Sequence, residues 1–108
     1  MIVRDLAHAR TGDKGRCVNI SVTAYDEAGF ARLERELDEA RVAAAFASLA
    51  DGPVTRYALP RLKALNFVID NVRGGGVTAT PAIDLHGKSL SGVMLAIALS
   101  GNLSDEPL

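Results

Sequence analysis

The segment CVNISVTAY, residues 17–25, decides the fold class of this chain. Val18, Ile20 and Val22 share one side of an extended backbone. The other side carries Cys17, Asn19, Ser21 and Thr23. An alternation of apolar and polar residues with a period of two is typical of a half-buried β-strand. The segment therefore predicts a strand with one face against the core.

The residues before this segment predict a partner strand. IVRDLAHA, residues 2–9, alternates in part, and residues 11–16 form a charged segment bracketed by two glycines. Glycine between two strand-like runs is typical of a hairpin connection. We therefore expect residues 1–25 to form an antiparallel pair of strands joined by a loop at 11–16.

Further elements follow along the chain, beginning with two helices. Phe30, Leu33 and Leu37 recur at helical spacing behind Asp26, a suitable N-cap, and Asp38 is suited to cap a second helix. The later segments predict a strand at 53–59, a helix at 62–72, a strand at 77–83 and a final helix that contains Leu90, Val93, Met94 and Ile97.

The predicted element order is ββαβαβα, and it indicates an α+β protein. A small, mainly antiparallel sheet with helices packed on one face fits this order, and the nearest common architecture is a ferredoxin-like sandwich. A chain of 108 residues has room for one core, so residues 1–108 are predicted to form a single domain with a loose tail at about 101–108.

Composition excludes several classes of function. The formal net charge is −1 and no dense cluster of Lys and Arg occurs, so neither nucleic acid nor a membrane surface is an expected partner. No run of about 18 apolar residues predicts a transmembrane helix, and we expect a cytoplasmic protein. No metal-ligand spacing is present, so no metal and no cofactor is predicted. The 48% hydrophobic content favours a homo-oligomer or another subunit that covers part of the surface.

The segment RTGDKGR, residues 10–16, is the first candidate site. Gly12 and Gly15 permit positive φ, and backbone amides in such a loop can converge on an anion. Arg10 and Lys14 would add positive charge for a carboxylate or phosphate. The alternative is an ordinary hairpin turn, in which Asp13 begins the turn and the lysine points to water.

Three other features are candidates for a site. Gly74, Gly75 and Gly76 suggest either close approach of a ligand or a flexible connector. Asn19 and Asn66 lie within apolar runs, where a carboxamide must be satisfied by a loop or by a ligand. The sequence assigns no role to His8, His86 or Cys17.

The motifs ARTGDKG, LPRLKALNFV, GGGV and GKSL together resemble the small ferredoxin-like domain at the C-terminus of AtuA-type proteins, the acyclic terpene utilisation family. Short relatives of that domain stand alone beside a separate larger subunit. The resemblance runs from about residue 4 to about residue 99. The recurring positions of the family fall on Arg10, Gly12, Asp13, Lys14, Gly15, Asn19, Leu65, Asn66, Phe67, Gly74, Gly75 and Gly76.

This resemblance implies a small accessory subunit or binding module. The module would assemble with itself or with a larger AtuA-like chain in acyl-CoA or terpenoid-acid catabolism, and residues 10–15 would hold an anionic group such as acyl-CoA or a carboxylate. The alternative is a subunit of a hydratase or dehydratase in which Asp13 and Lys14 are catalytic.

Overall fold

The computed structural model describes residues 1–14, 17–70, 72 and 90–99, and for Asp13 and Lys14 it describes the backbone. The regular elements are β1 (Ala7–Lys14), β2 (Cys17–Ala24), α1 (Glu27–Glu36), α2 (Glu39–Ala45), β3 (Val54–Leu59), β4 (Ala64–Ile69) and α3 (Leu90–Leu95). Single 3-10 turns occur at Val3–Asp5 and Pro60–Leu62. The strands form one antiparallel sheet in the order β1-β2-β4-β3.

The alternation in β2 forms one half of the core. Val18, Ile20 and Val22 are fully buried, and they pair with Ile69, Phe67 and Leu65 of β4, which are also fully buried. Burial of such side chains contributes about 1.5–3 kcal/mol each. The prediction of a half-buried strand at this segment is confirmed.

Both predicted N-caps begin a helix. The Asp26 carboxylate accepts a hydrogen bond from the Gly29 amide at 2.7 Å, and the Asp38 carboxylate accepts one from the Arg41 amide at 2.8 Å. These side chains satisfy backbone donors that have no partner within the helix. Because the apolar residues of α1 recur at helical spacing, they lie on one side of the helix, and Leu33 is buried in the core.

The helices cover one face of the sheet. Leu33 from α1, Val42 from α2 and Met94 from α3 join the same apolar cluster as Ile20 and Phe67 of the sheet. The predicted α+β, ferredoxin-like architecture is therefore confirmed. Among the residues described, no helix is long and apolar enough to cross a membrane.

The prediction of a helix at 62–72 is wrong, because residues 64–69 form β4. Leu65 and Ile69 fit a helical period, but the buried positions are Leu65, Phe67 and Ile69, which alternate as in a strand. Pairing with both β2 and β3 satisfies the backbone of β4 on its two sides. Tertiary pairing here overrides the local helical spacing.

The boundaries of the first hairpin also differ from the prediction. Residues 3–5 form a 3-10 turn instead of strand, and β1 extends through residues 11–14, which the sequence assigned to the loop. Backbone pairing with β2 holds these residues in the strand.

Several predicted features lie outside the described residues. These are Gly15, the predicted strand at 77–83 with the glycines at 74–76 before it, His86, and the tail at 101–108. The final helix is confirmed as α3, and Ile97 is buried just beyond its end.

Candidate functional site

The sheet has a second face, turned away from the helices, which we call the open face. Its side chains follow from the strand register, since residues directly opposite on paired strands share a face. The open face carries His8, Arg10 and Gly12 of β1, Asn19, Ser21 and Thr23 of β2, Ala64, Asn66 and Val68 of β4, and Thr55, Tyr57 and Leu59 of β3.

One row of polar side chains crosses the open face at its centre. Arg10 is opposite Ser21, Ser21 is opposite Asn66, and Asn66 is opposite Tyr57. Neighbouring strands lie about 4.8 Å apart, so the row spans about 14 Å. Arg10 and Tyr57 are exposed at its two ends, and the residues between them are half-buried. The row forms a continuous polar strip that solvent reaches.

A hydrogen bond orients the middle of this row. The Ser21 hydroxyl donates to Oδ1 of Asn66 at 3.3 Å. Because the carboxamide oxygen accepts this bond, the two N–H groups of the Asn66 amide remain as donors. No described group accepts a hydrogen bond from them. The Asn66 amide is therefore available to a ligand on the open face.

The charge on the open face is positive. Among the paired strand residues whose side chains are described, no Asp or Glu lies on this face, and Arg10 makes no ion pair with a described residue. A guanidinium presents a planar fork of donors that matches a carboxylate or a phosphate. An arginine beside carboxamide donors, with no acid among the described strand residues paired on its face, is suited to bind an anion.

Asn19 extends the polar strip next to the central row. A Cβ built on Gly12 would lie 3.6 Å from both Nδ2 and Oδ1 of Asn19, so the carboxamide lies across the glycine. The strand partner of Gly12 is Asn19 itself. The Asn19 amide therefore lies over Gly12 at a distance that would also accommodate a Cβ.

The expected loop at residues 10–15 is corrected by this geometry. Gly12 lies in an extended, paired strand, so the prediction that it supplies a positive-φ backbone for converging amides is wrong. The backbones of Asp13 and Lys14 pair with Val18 and Cys17 at the end of the same strand. A role for these residues in binding or catalysis stays a prediction.

The structure brings together four of the predicted site residues and adds two. Arg10, Gly12, Asn19 and Asn66 share the open face, whereas Gly15 and the glycines at 74–76 lie outside the described residues. The residues added by the structure are Ser21 and Tyr57. Ser21 belongs to the same alternation as Asn19 in the sequence. The place of Tyr57 depends on strand register, which no local pattern shows.

An aromatic pair lies at one end of the open face. The rings of His8 and Tyr25 have centroids 5.9 Å apart and are tilted by 37°. Tyr25 is 63% exposed. The pair borders the row that contains Thr23 and Ala64 and gives that end of the face an aromatic edge.

Comparison with known families identifies the domain. The model of the AtuA ferredoxin-like domain matches residues 1–100. The chain belongs to this family. No curated protein and no solved structure gives a significant match to this chain. The match includes every strand and helix described above, so the polar row lies within the AtuA ferredoxin-like domain.

In this AtuA ferredoxin-like domain, the motif LPRLKALNFV connects strand β3 to strand β4. Its first residues form the end of β3 and the 3-10 turn Pro60–Leu62, and its last residues form β4. Within β4, Leu65 and Phe67 face the core while Asn66 faces out. Consecutive residues of the motif therefore contribute side chains to the core and to the open face in turn.

Proposed function

We propose that this chain is a non-catalytic accessory subunit or binding module of an AtuA-type assembly, and that its open face holds an anionic group. The chain would assemble with itself or with a larger AtuA-like chain in acyl-CoA or terpenoid-acid catabolism. The anion would be the carboxylate of an acid or a phosphate of an acyl-CoA. Family membership supports the setting, and the open face supports the binding role.

One observation carries the proposal: Arg10 lies in register with the hydrogen-bonded pair of Ser21 and Asn66, and the described strand residues paired on that face include no carboxylate. The guanidinium would neutralise the anion, and the Asn66 amide would donate to one of its oxygens. The hydroxyl of Ser21 holds that amide in a donating orientation.

Exposure of Arg10 limits the affinity of the module alone. An ion pair in contact with water contributes up to about 1 kcal/mol, because solvent screens the charges. A partner that covers the open face would exclude water and strengthen the same contacts. We therefore expect weak binding by the isolated chain and tighter binding in the assembly.

Calorimetry tests this proposal through a pair of matched variants. A medium-chain acyl-CoA and the free acid are each titrated into the wild type, Arg10→Gln and Arg35→Gln, with and without the larger chain. Arg35 is the control because its side chain is 68% exposed and lies on α1, in the helical layer. Each variant removes one positive charge from the surface.

For Arg10→Gln we expect up to about fivefold weaker binding by the isolated chain. In the assembly, where water is excluded, we expect about tenfold weaker binding, which corresponds to about 1.4 kcal/mol. Arg35→Gln should bind as the wild type does. Equal affinities of all three proteins for both ligands would contradict a role for the open face. Light scattering of the same samples measures assembly independently of ligand.

The hydratase or dehydratase alternative stays a prediction. In that alternative Asp13 is the acid or base and Lys14 stabilises the developing charge. Loss of turnover by Asp13→Asn, with assembly and anion binding retained, would favour it over the non-catalytic proposal.

A further inference from the structure

A second surface lies at the turn between β3 and β4, away from Arg10. A shallow apolar depression is lined by Ala58, Leu59, Pro60, Arg61 and Leu62, which we call the turn patch. Leu59 is 41% exposed and Leu62 is 65% exposed. Neighbouring exposed leucines in a rigid turn are typical of a protein contact surface.

The edge of β3 is closed along its first half. The backbone amide of Arg56 donates to Oε2 of Glu39 at 2.7 Å, so this amide points away from β4. The Arg56 guanidinium donates to the carbonyls of Glu34 at 2.8 Å and Leu37 at 3.0 Å. These bonds cover the strand edge with the ends of α1 and α2 and block the addition of another strand there.

The second half of the same edge is open. Backbone groups of alternate residues in an antiparallel strand point to the same side, so the amide and carbonyl of Ala58 point outward like those of Arg56. Ala58 is exposed, and none of the described groups bonds to its backbone on that side. An extended segment could add to β3 here, beside the exposed leucines.

Positive charge borders this edge. Arg61 is exposed in the turn patch. Lys63 follows in a left-handed backbone conformation, with φ 56° and ψ 40°. This conformation costs about 1 kcal/mol for a residue with a side chain. The Lys63 amide donates to the Pro60 carbonyl at 3.0 Å, and its carbonyl accepts from Ala24 at 2.8 Å. The turn is thus held in one conformation with two cations beside it.

We propose that the turn patch docks an extended segment of the larger AtuA-like chain, which adds to β3 at Ala58. The segment would carry apolar side chains for Leu59 and Leu62 and at least one carboxylate for Arg61. This inference rests on the proposed function, which supplies the partner. A second copy of this chain is the poorer occupant, because antiparallel pairing of two β3 edges about Ala58 would set the turn patch of each copy against the half of the edge that Glu39 closes at Arg56 in the other.

Size-exclusion chromatography and calorimetry with the purified larger chain, without acyl-CoA, test the inference. Leu62→Ser removes an apolar contact from an exposed position, and Arg61→Glu reverses the charge. Arg35→Glu makes the same charge reversal on α1 and is the matched control. Thermal unfolding of each variant checks that the fold is retained.

The inference predicts at least tenfold weaker docking by Leu62→Ser and by Arg61→Glu, and wild-type docking by Arg35→Glu. Wild-type affinity of both patch variants would overturn it and leave the proposed function standing. A wild-type homodimer that Leu62→Ser dissociates would also overturn it, since the patch would then bind a second copy. Failure of the wild type to bind the larger chain would overturn the inference together with the proposed assembly with that chain.

Discussion

The two faces of the sheet differ sharply although they alternate along the same strands. In β4, Leu65 and Phe67 are fully buried on the face that the helices cover, whereas Asn66 and Val68 are half-buried on the open face. The covered face stabilises the fold through apolar burial. The open face carries hydrogen-bonding groups that the fold leaves available. Apolar burial and the proposed binding of an anion thus involve alternate residues of one segment.

The largest expected effect comes from truncating neighbours on opposite faces. Phe67→Ala should lower the free energy of unfolding by about 4 kcal/mol, because it leaves a cavity beneath the helices. Val68→Ala, on the open face, should lower it by about 1 kcal/mol. Urea denaturation of both variants measures the difference. Similar losses would show that the open face is also covered.

A second contrast concerns two glycines. A Cβ on Gly52 would lie 2.6 Å from the Asp70 carbonyl oxygen, so Gly52→Ala should shift the backbone and lower the free energy of unfolding by about 2 kcal/mol. A Cβ on Gly12 meets Asn19 at 3.6 Å, an ordinary contact. Gly12→Ala should therefore change stability by less than about 0.5 kcal/mol. Thermal unfolding distinguishes the two, and a large loss for Gly12→Ala would contradict the extended strand at that position.

A smaller effect is expected for the hydrogen-bonded pair on the open face. Asn66→Ala should lower the free energy of unfolding by about 1 kcal/mol, since it removes a partly exposed bond to Ser21. A double-mutant cycle with Ser21→Ala isolates the contribution of the pair. Additive losses would indicate that the hydroxyl does not orient the amide, and the open face would then lose its ordered donor.

The sequence predicted the fold where local patterns and tertiary pairing agree. The alternation around Ile20 and the caps at Asp26 and Asp38 act within a few residues, so these elements could be found without the structure. The segment around Phe67 could not, because its leucine and isoleucine spacing also fits a helix. Only pairing on both sides of β4 decides between the two periods.

Some residues of the candidate site could be predicted from the sequence, but their arrangement on one face of the sheet could not. The sequence indicates Arg10 as a cation of the glycine-bracketed segment, and Asn19 and Asn66 as carboxamides within apolar runs. Their common face depends on pairing between strands that are 45 residues apart in sequence at the Ser21–Asn66 contact. The same long-range register brings Tyr57 into the row. Such register is invisible to patterns read over a few residues.

The most direct test of the central claim is a ¹⁵N-edited NMR titration of the chain with a medium-chain acyl-CoA. The account predicts shifts of the side-chain amide signals of Asn66 and Asn19, together with backbone signals of β1, β2 and β4, and smaller shifts in Arg10→Gln at the same ligand concentration. Shifts confined to α1 and α2, or identical shifts in the variant, would contradict binding at the open face.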